Sequence, residues 1–263
     1  MNCHFPRFLL HPFTANMDVD DPQTTELRRR IIRGKPFLFK LYNEWYDTIN
    51  GCLPPGQGKV LELGSGAGFM KDRIPEIITS DVVPYSGIDY LLPASGRLPF
   101  ENNSLRAIVM VDVLHHVSQP RRLFAESTRV IASGGAMVMI EPWNTLWSRF
   151  VYQRFHNEPF CPEAQEWEFP ERGPLSGANG ALPWICFERD RWIFQHDFPM
   201  LRIQRIDLLM PFCYLLSGGV SLRSFAPGCA YGPCRMFERA LGWLGKQMAM
   251  FALIVLEHQQ GKS

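Results

Sequence analysis

The segment Val60-Leu61-Glu62-Leu63-Gly64-Ser65-Gly66-Ala67-Gly68 joins a short apolar run, an acid and three alternating glycines. Residues without Cβ let a chain turn sharply at a strand end and let a ligand approach the backbone. A helix expected from about Ala67, ended by Pro75, would aim its free N–H groups at this loop and favour a negative ligand group. The dinucleotide fingerprint G-x-G-x-x-G needs glycine at position 69, where Phe69 stands. No G-K-[ST] follows, which excludes a P-loop. Glu62 has no task beside a pyrophosphate, but a carboxylate there suits the ammonium of an amino-acid ligand. An ordinary strand-to-helix turn is the competing reading, and the three alternating glycines favour the ligand.

Asp81 follows the second apolar run, 17 residues beyond Gly64. An acid near that place accepts hydrogen bonds from ribose hydroxyls in dinucleotide sites. Asp89 is the second candidate, and a turn aspartate before Pro84 is the plain alternative. Asp112 and Val113 end the fourth strand, where open α/β sheets bind ligands, although Asp112 also suits a helix cap. His115 and His116 titrate near neutral pH and could take a proton from a nucleophile. The competing reading, which we weight higher, makes each a hydrogen-bonded packing residue. Glu141, at the end of strand 5, reads as a base or orienting group, or equally as a surface acid. His156 and Glu158 are further candidates. With neither acid nor cysteine near the histidine pair in sequence, no metal site is expected.

Elements must hold these residues in place. Leu27, Ile31, Ile32, Leu38, Leu41, Tyr42, Trp45 and Ile49 recur at helical spacing from Thr24, and Gly34 and Pro36 split the run into two helices. Trp45 and Tyr46 are placed to close over the loop. Residues 54–58 read as a loop. Strands are expected at 59–63, 76–80, 86–92, 106–111 and 136–140, with a helix at 120–131. Later come a strand at 201–208, a helix at 234–247 and a strand at 248–257. Apolar strands alternating with helices imply parallel βαβ units. The stretch 142–199, rich in Pro and Trp, interrupts that alternation and reads as a lid whose aromatics wall a pocket or simply form core.

Composition narrows the function classes. The 263 residues suit one large domain, divided here into an N-terminal extension with capping helices, 1–57, and a main domain, 58–263. A net charge of +1 argues against a broad nucleic-acid surface. The basic run Arg28-Arg29-Arg30, with Arg33 and Lys35, reads as the solvated face of a helix rather than a patch for an acidic partner. Seven cysteines without a CxxC pair fit reduced thiols in a cytoplasmic protein. No secretory leader and no transmembrane helix are expected.

The ordered motifs resemble a known family. Residues 60–68 look like motif I of class I S-adenosylmethionine-dependent methyltransferases. Arg97-Leu98-Pro99-Phe100 with 103–109, Asp112-Val113-Leu114-His115-His116-Val117 with Pro120, and Arg129-Val130-Ile131 with Gly134-Gly135 resemble later family segments in family order. The branch resembled is the small-molecule, type 11-like one. The resemblance implies a Rossmann-like open, mostly parallel seven-stranded sheet with N-terminal helices and a lid insertion after strand 5. It implies methyl transfer from S-adenosylmethionine to a small-molecule acceptor. Glu62, Gly64, Ser65, Gly66, Gly68, Phe69, Asp81, Val82, Asp112 and Val113 would then bind the cofactor, and His116, His115 and Glu141 would be the catalytic candidates. Where the family often carries an acid for the adenine, this chain has Pro93-Ala94-Ser95-Gly96, so Ser95 or backbone groups would take its place. Two other classes stand beside this reading: a non-catalytic cofactor-binding interaction module, and an NAD(P)-dependent oxidoreductase, against which Phe69 argues.

Overall fold

Strands covered by helices on both faces are near-continuous apolar runs, because neither side meets water. Val60 to Leu63, Ala107 to Met110 and Met137 to Ile140 are such runs, and all are buried. The computed structural model describes residues 9, 11, 12, 22–92, 96–156, 158–170 and 177–259. The runs become β1 (Lys59–Leu63), β2 (Ile77–Asp81), β3 (Tyr90–Leu91), β4 (Leu105–Val111), β5 (Ile131–Pro142), β6 (Leu201–Leu209) and β7 (Phe251–His258). They form one sheet in the order β3-β2-β1-β4-β5-β7-β6. The pairs from β3 through β5 are parallel, and β7 runs antiparallel to both β5 and β6. The order reverses between β1 and β4. At such a switch point the connections leave to opposite sides and open a crevice beyond the strand C-termini.

Helices α1 (Pro22–Gly34) and α2 (Pro36–Gly51) break at Lys35, because Pro36 lacks an N–H and is favoured at the first helical position. The apolar stripe of α2 buries Phe37, Leu38, Leu41, Trp45, Tyr46 and Ile49. The helix α3 (Pro120–Val130) buries Leu123 and Phe124. After β5 come α4 (Leu146–Phe155), α5 (Leu182–Trp184) leading into a π-turn at Ile185–Arg189, and α6 (Arg191–Asp197). Then follow α7 (Cys213–Ser217), α8 (Tyr231–Ala240) and α9 (Gly245–Met248). Glu44 of α2 accepts from the guanidinium of Arg235 at 2.5 Å and from the Tyr231 hydroxyl at 2.5 Å, tying α2 to α8. No helix among the described residues is long and apolar enough to cross a membrane.

Several expectations change. Between the glycine loop and β2 there is only a 3-10 turn, Met70–Asp72, in place of the expected helix. Eight residues from Gly68 to Pro75 leave no length for a stable one, and Pro75 bars its last turn. The third strand shrinks to two residues, and the expected helix 234–247 starts earlier and breaks after Ala240, where Gly242 and Gly245 weaken helical continuity. The aromatics of 143–194 divide: Trp143, Tyr152, Phe160, Trp167, Phe187 and Phe194 are core, Phe169 lines the cavity, and Phe150, Phe155 and Trp192 are exposed. Phe124 meets Trp167, Phe187 and Phe194 in edge contacts at 6.3, 5.7 and 5.1 Å. Burying one such ring is worth roughly 1.5–3 kcal/mol. The basic run is not simply solvated. Arg29 donates to the Gly66 carbonyl at 3.3 Å, Arg33 pairs with Asp72 at 2.6 Å, and the buried Lys35 ammonium donates to the Gly219 and Leu222 carbonyls.

Candidate active site

A cavity of about 640 Å³ opens at the switch point. That lies within the roughly 300–1,000 Å³ typical of small-molecule sites. Its floor is the glycine loop and the end of β4. Its roof comes from α1 and α2, through Arg28, Ile32, Tyr42 and Tyr46.

The loop geometry explains its glycines. Gly64 has φ +67°, and a Cβ there would lie 2.5 Å from Val113 Cγ2. Gly68 would put a Cβ 2.7 Å from the Ser65 carbonyl oxygen and 2.8 Å from the Tyr46 hydroxyl. Ser65 is stitched to β2: its N–H donates to the Ser80 carbonyl at 2.9 Å and its Oγ accepts from the Ser80 N–H at 3.1 Å. The Asp81 carboxylate accepts from the Gly66 N–H at 2.7 Å and from the Val83 N–H at 3.0 Å. Asp81 and Val82 both line the cavity. Asp89 instead accepts from Thr79 and Lys71, away from the cavity lining.

Glu62 lines the cavity with 4% of its surface exposed. None of the ion pairs found among the described residues involves it. Burial pushes its carboxyl up to about 7, opposed by a hydrogen bond with Ser65 and, more weakly, by Arg29 and Lys71. A buried carboxylate without a cation, facing a cavity, suits a ligand ammonium.

Phe69 does not join this wall. Its ring stacks on Phe39 at 5.0 Å and meets Tyr46 edge-on at 5.0 Å, because the short turn after Gly68 folds the side chain back under α2. Trp45 is likewise core, 4.9 Å from Phe251, whereas Tyr46 reaches the cavity. Ser95 lies outside the described residues.

At the other end, Asp112 continues the ladder with its N–H donating to the Ile140 carbonyl at 2.9 Å, then turns the chain with φ +61°. That left-handed residue throws Val113 against Gly64 and leaves Asp112 and Val113 on the cavity wall. Burial raises the Asp112 carboxyl to about 7. It does not cap the following 3-10 turn, Leu114–His116, which has no side-chain cap.

Glu141 neither faces the cavity nor sits on the surface. It is fully buried. One carboxylate oxygen accepts from the Val113 and Leu114 N–H groups at 2.8 and 2.7 Å, and the other faces His115 Nδ1 at 2.9 Å. His115 is 1% exposed and is absent from the cavity wall; its Nε2 lies 3.4 Å from Glu158. His116 does line the cavity. Its Nδ1 lies 3.1 Å from the Gly177 carbonyl, and its Nε2 is 3.8 Å from Glu158. Burial, then the charge of His115, lowers the His116 imidazole to about 4. Against the lowering effect of burial, hydrogen bonds donated to the Glu141 and Glu158 carboxylates hold His115 well above the usual histidine range. Of the acids close in sequence, Asp112 lies 4.0 Å from His115 Nδ1. The fold brings in Glu158 from 43 residues downstream, with the potential ligand atoms of His115, His116 and Glu158 all within 4.8 Å of one another.

Residues 61–139 match the methyltransferase domain family. Over this stretch, which runs from β1 through most of β5, the chain is similar to class I methyltransferase domains. Curated relatives include the Mycobacterium tuberculosis protein named uncharacterized methyltransferase Rv3342, 28% identical over 122 residues, with 41% of this chain and 49% of that protein covered. The chain thus spans about half the length of the curated relatives it matches. Among solved structures, this chain is similar to geranyl diphosphate C-methyltransferase from Streptomyces coelicolor A3(2). That likeness has a TM-score of 0.54 at 14% identity, covering 97% of this chain and 91% of the other. It is also similar to the Haloferax volcanii complex of a methyltransferase with the Trm112 activator, with a TM-score of 0.54 at 13% identity, covering 94% and 100%. These likenesses are ones of fold.

Proposed function

We propose that the chain transfers a methyl group from S-adenosylmethionine to a small-molecule acceptor bound in the same cavity. The observation that carries this is the pair of cavity-facing carboxylates, Glu62 and Asp81, on either side of a glycine loop at the switch point. Glu62 would take the amino-acid ammonium of the cofactor. Asp81 would hold its ribose hydroxyls while bracing Gly66. The glycine loop would let the cofactor lie against the backbone. Asp112 and Val113 would bound it on the β4 side, with the aromatic faces of Tyr42 and Tyr46 above, where a cationic ligand is favoured.

Bound there, S-adenosylmethionine supplies an electrophilic methyl on a sulfonium. The protein's part is to hold the acceptor in line and exclude water, and alignment alone contributes up to about 7–11 kcal/mol. Phe169, His116, His156 and Glu158 line the far end, where the acceptor would sit. We place the protein among enzymes rather than passive cofactor-binding modules because that end is polar and convergent. Incubation with methyl-labelled cofactor and a metabolite library tests the reading. A labelled product supports it, and saturable cofactor binding without any product contradicts it.

A further inference from the structure

The two imidazoles at the end of β4 are each held in one tautomer by a partner that can only accept. The Gly177 carbonyl faces His116 Nδ1 at 3.1 Å, so that nitrogen carries the proton and Nε2 keeps a lone pair. Glu141, its other oxygen taken by two backbone N–H groups, faces His115 Nδ1 at 2.9 Å and orients that ring in the same way. Both Nε2 atoms point at one carboxylate, Glu158, at 3.4 and 3.8 Å. A proton on His115 Nε2 could serve one of these contacts. The other contact, from His116 Nε2 at 3.8 Å, is too long for a hydrogen bond and leaves a nitrogen lone pair beside the carboxylate at the cavity wall.

We propose that His115 Nε2, His116 Nε2 and the Glu158 carboxylate form a site for one divalent first-row transition-metal ion, with its remaining positions open to the cavity. Imidazole and carboxylate donors without thiolate suit zinc, iron, cobalt or nickel. Ligands about 2.1 Å from a tetrahedral ion lie about 3.4 Å apart, so the present spacings, all within 4.8 Å, need a contraction of at most about 1.5 Å. Glu141 and the Gly177 carbonyl already stand where the outer partners of metal-binding histidines stand, each on the nitrogen facing away from the ion. The site lies at the acceptor end of the cavity, so the ion would hold an oxygen or nitrogen of the acceptor and polarise it. This role rests on the methyl-transfer reading above; the metal site itself does not.

The test is a titration of chelator-treated protein with Co²⁺, read by visible absorption, and with Zn²⁺, read by calorimetry. One ion per chain is expected, with His116→Gln and Glu158→Gln each weakening it at least about tenfold. Glu141→Gln tests orientation. Its amide would donate to His115 Nδ1 and turn the lone pair away from the ion, weakening binding without touching a ligand. Thermal melts confirm that each variant is folded. Stoichiometry well below one in wild type, equal affinity in the folded ligand variants, or a thiolate-to-cobalt absorption band marking cysteine binding overturns the proposal. A parallel titration with S-adenosylmethionine separates the two readings: metal bound but cofactor refused would sink the proposed function and leave the metal site standing.

Discussion

Glu141→Ala removes the acceptor for three buried donors: the Val113 and Leu114 N–H groups and the His115 ring. Each buried donor left unsatisfied costs about 1–3 kcal/mol. Some relaxation is unavoidable in so small a cluster, so the expected total is about 3–6 kcal/mol. Set against a typical global stability of about 5–15 kcal/mol, that is a large fraction. At roughly 2 °C per kcal/mol for a chain of this size, the melting temperature should fall by at least about 6 °C. Glu141→Gln behaves differently. Its carbonyl still accepts from Val113 and Leu114, and only the His115 contact is reversed, so the loss should stay under about 2 kcal/mol. Differential scanning calorimetry of the two variants measures both. If Glu141 were instead a cavity-facing base, the alanine variant would lose activity and keep its melting temperature. A melt within about 2 °C of wild type would refute the structural role argued here.

Three further outcomes are expected. Gly64→Ala forces a side chain into a left-handed residue, at about 1–2 kcal/mol, and against Val113, at about 1–3 kcal/mol more, so cofactor affinity and stability should fall together in a titration and a urea melt. Asp81→Ala removes the acceptor for two loop N–H groups as well as the ribose site, and calorimetry should show cofactor affinity at least about tenfold weaker in a folded protein; unchanged affinity contradicts the assignment. Glu62 carries the pH dependence. Its folded carboxyl titrates near 7, above its unfolded value of about 4.3, so the native state holds the extra proton and this group's contribution to stability falls as pH rises from about 4 to 7. A cationic ligand favours the ionised form, so cofactor binding should release a proton and tighten between pH 6 and 7.5, and Glu62→Gln should flatten that slope.

Sequence and structure part company where distance along the chain hides proximity. The β1–loop unit was legible to the residue, because an apolar run ending in three glycines has few other uses. So was the α1–α2 break, which Gly34 and Pro36 dictate. Glu141 was not legible, since an acid at a strand end looks the same whether it meets water or three buried donors. Glu158 could not be joined to the histidine pair from sequence, because only the return of the chain after α4 brings it there. The tell-tale for Phe69 was local: with Pro75 so near, no helix could carry its ring toward the cavity.

The central claim is that the glycine loop, with Glu62 and Asp81, holds S-adenosylmethionine. Isothermal titration of the wild-type chain at pH 7.5 tests it most directly. Saturable one-to-one binding is expected, and it is lost in Gly64→Ala. A folded protein that shows no binding up to about 1 mM cofactor, an affinity weaker than about −4 kcal/mol, would contradict it.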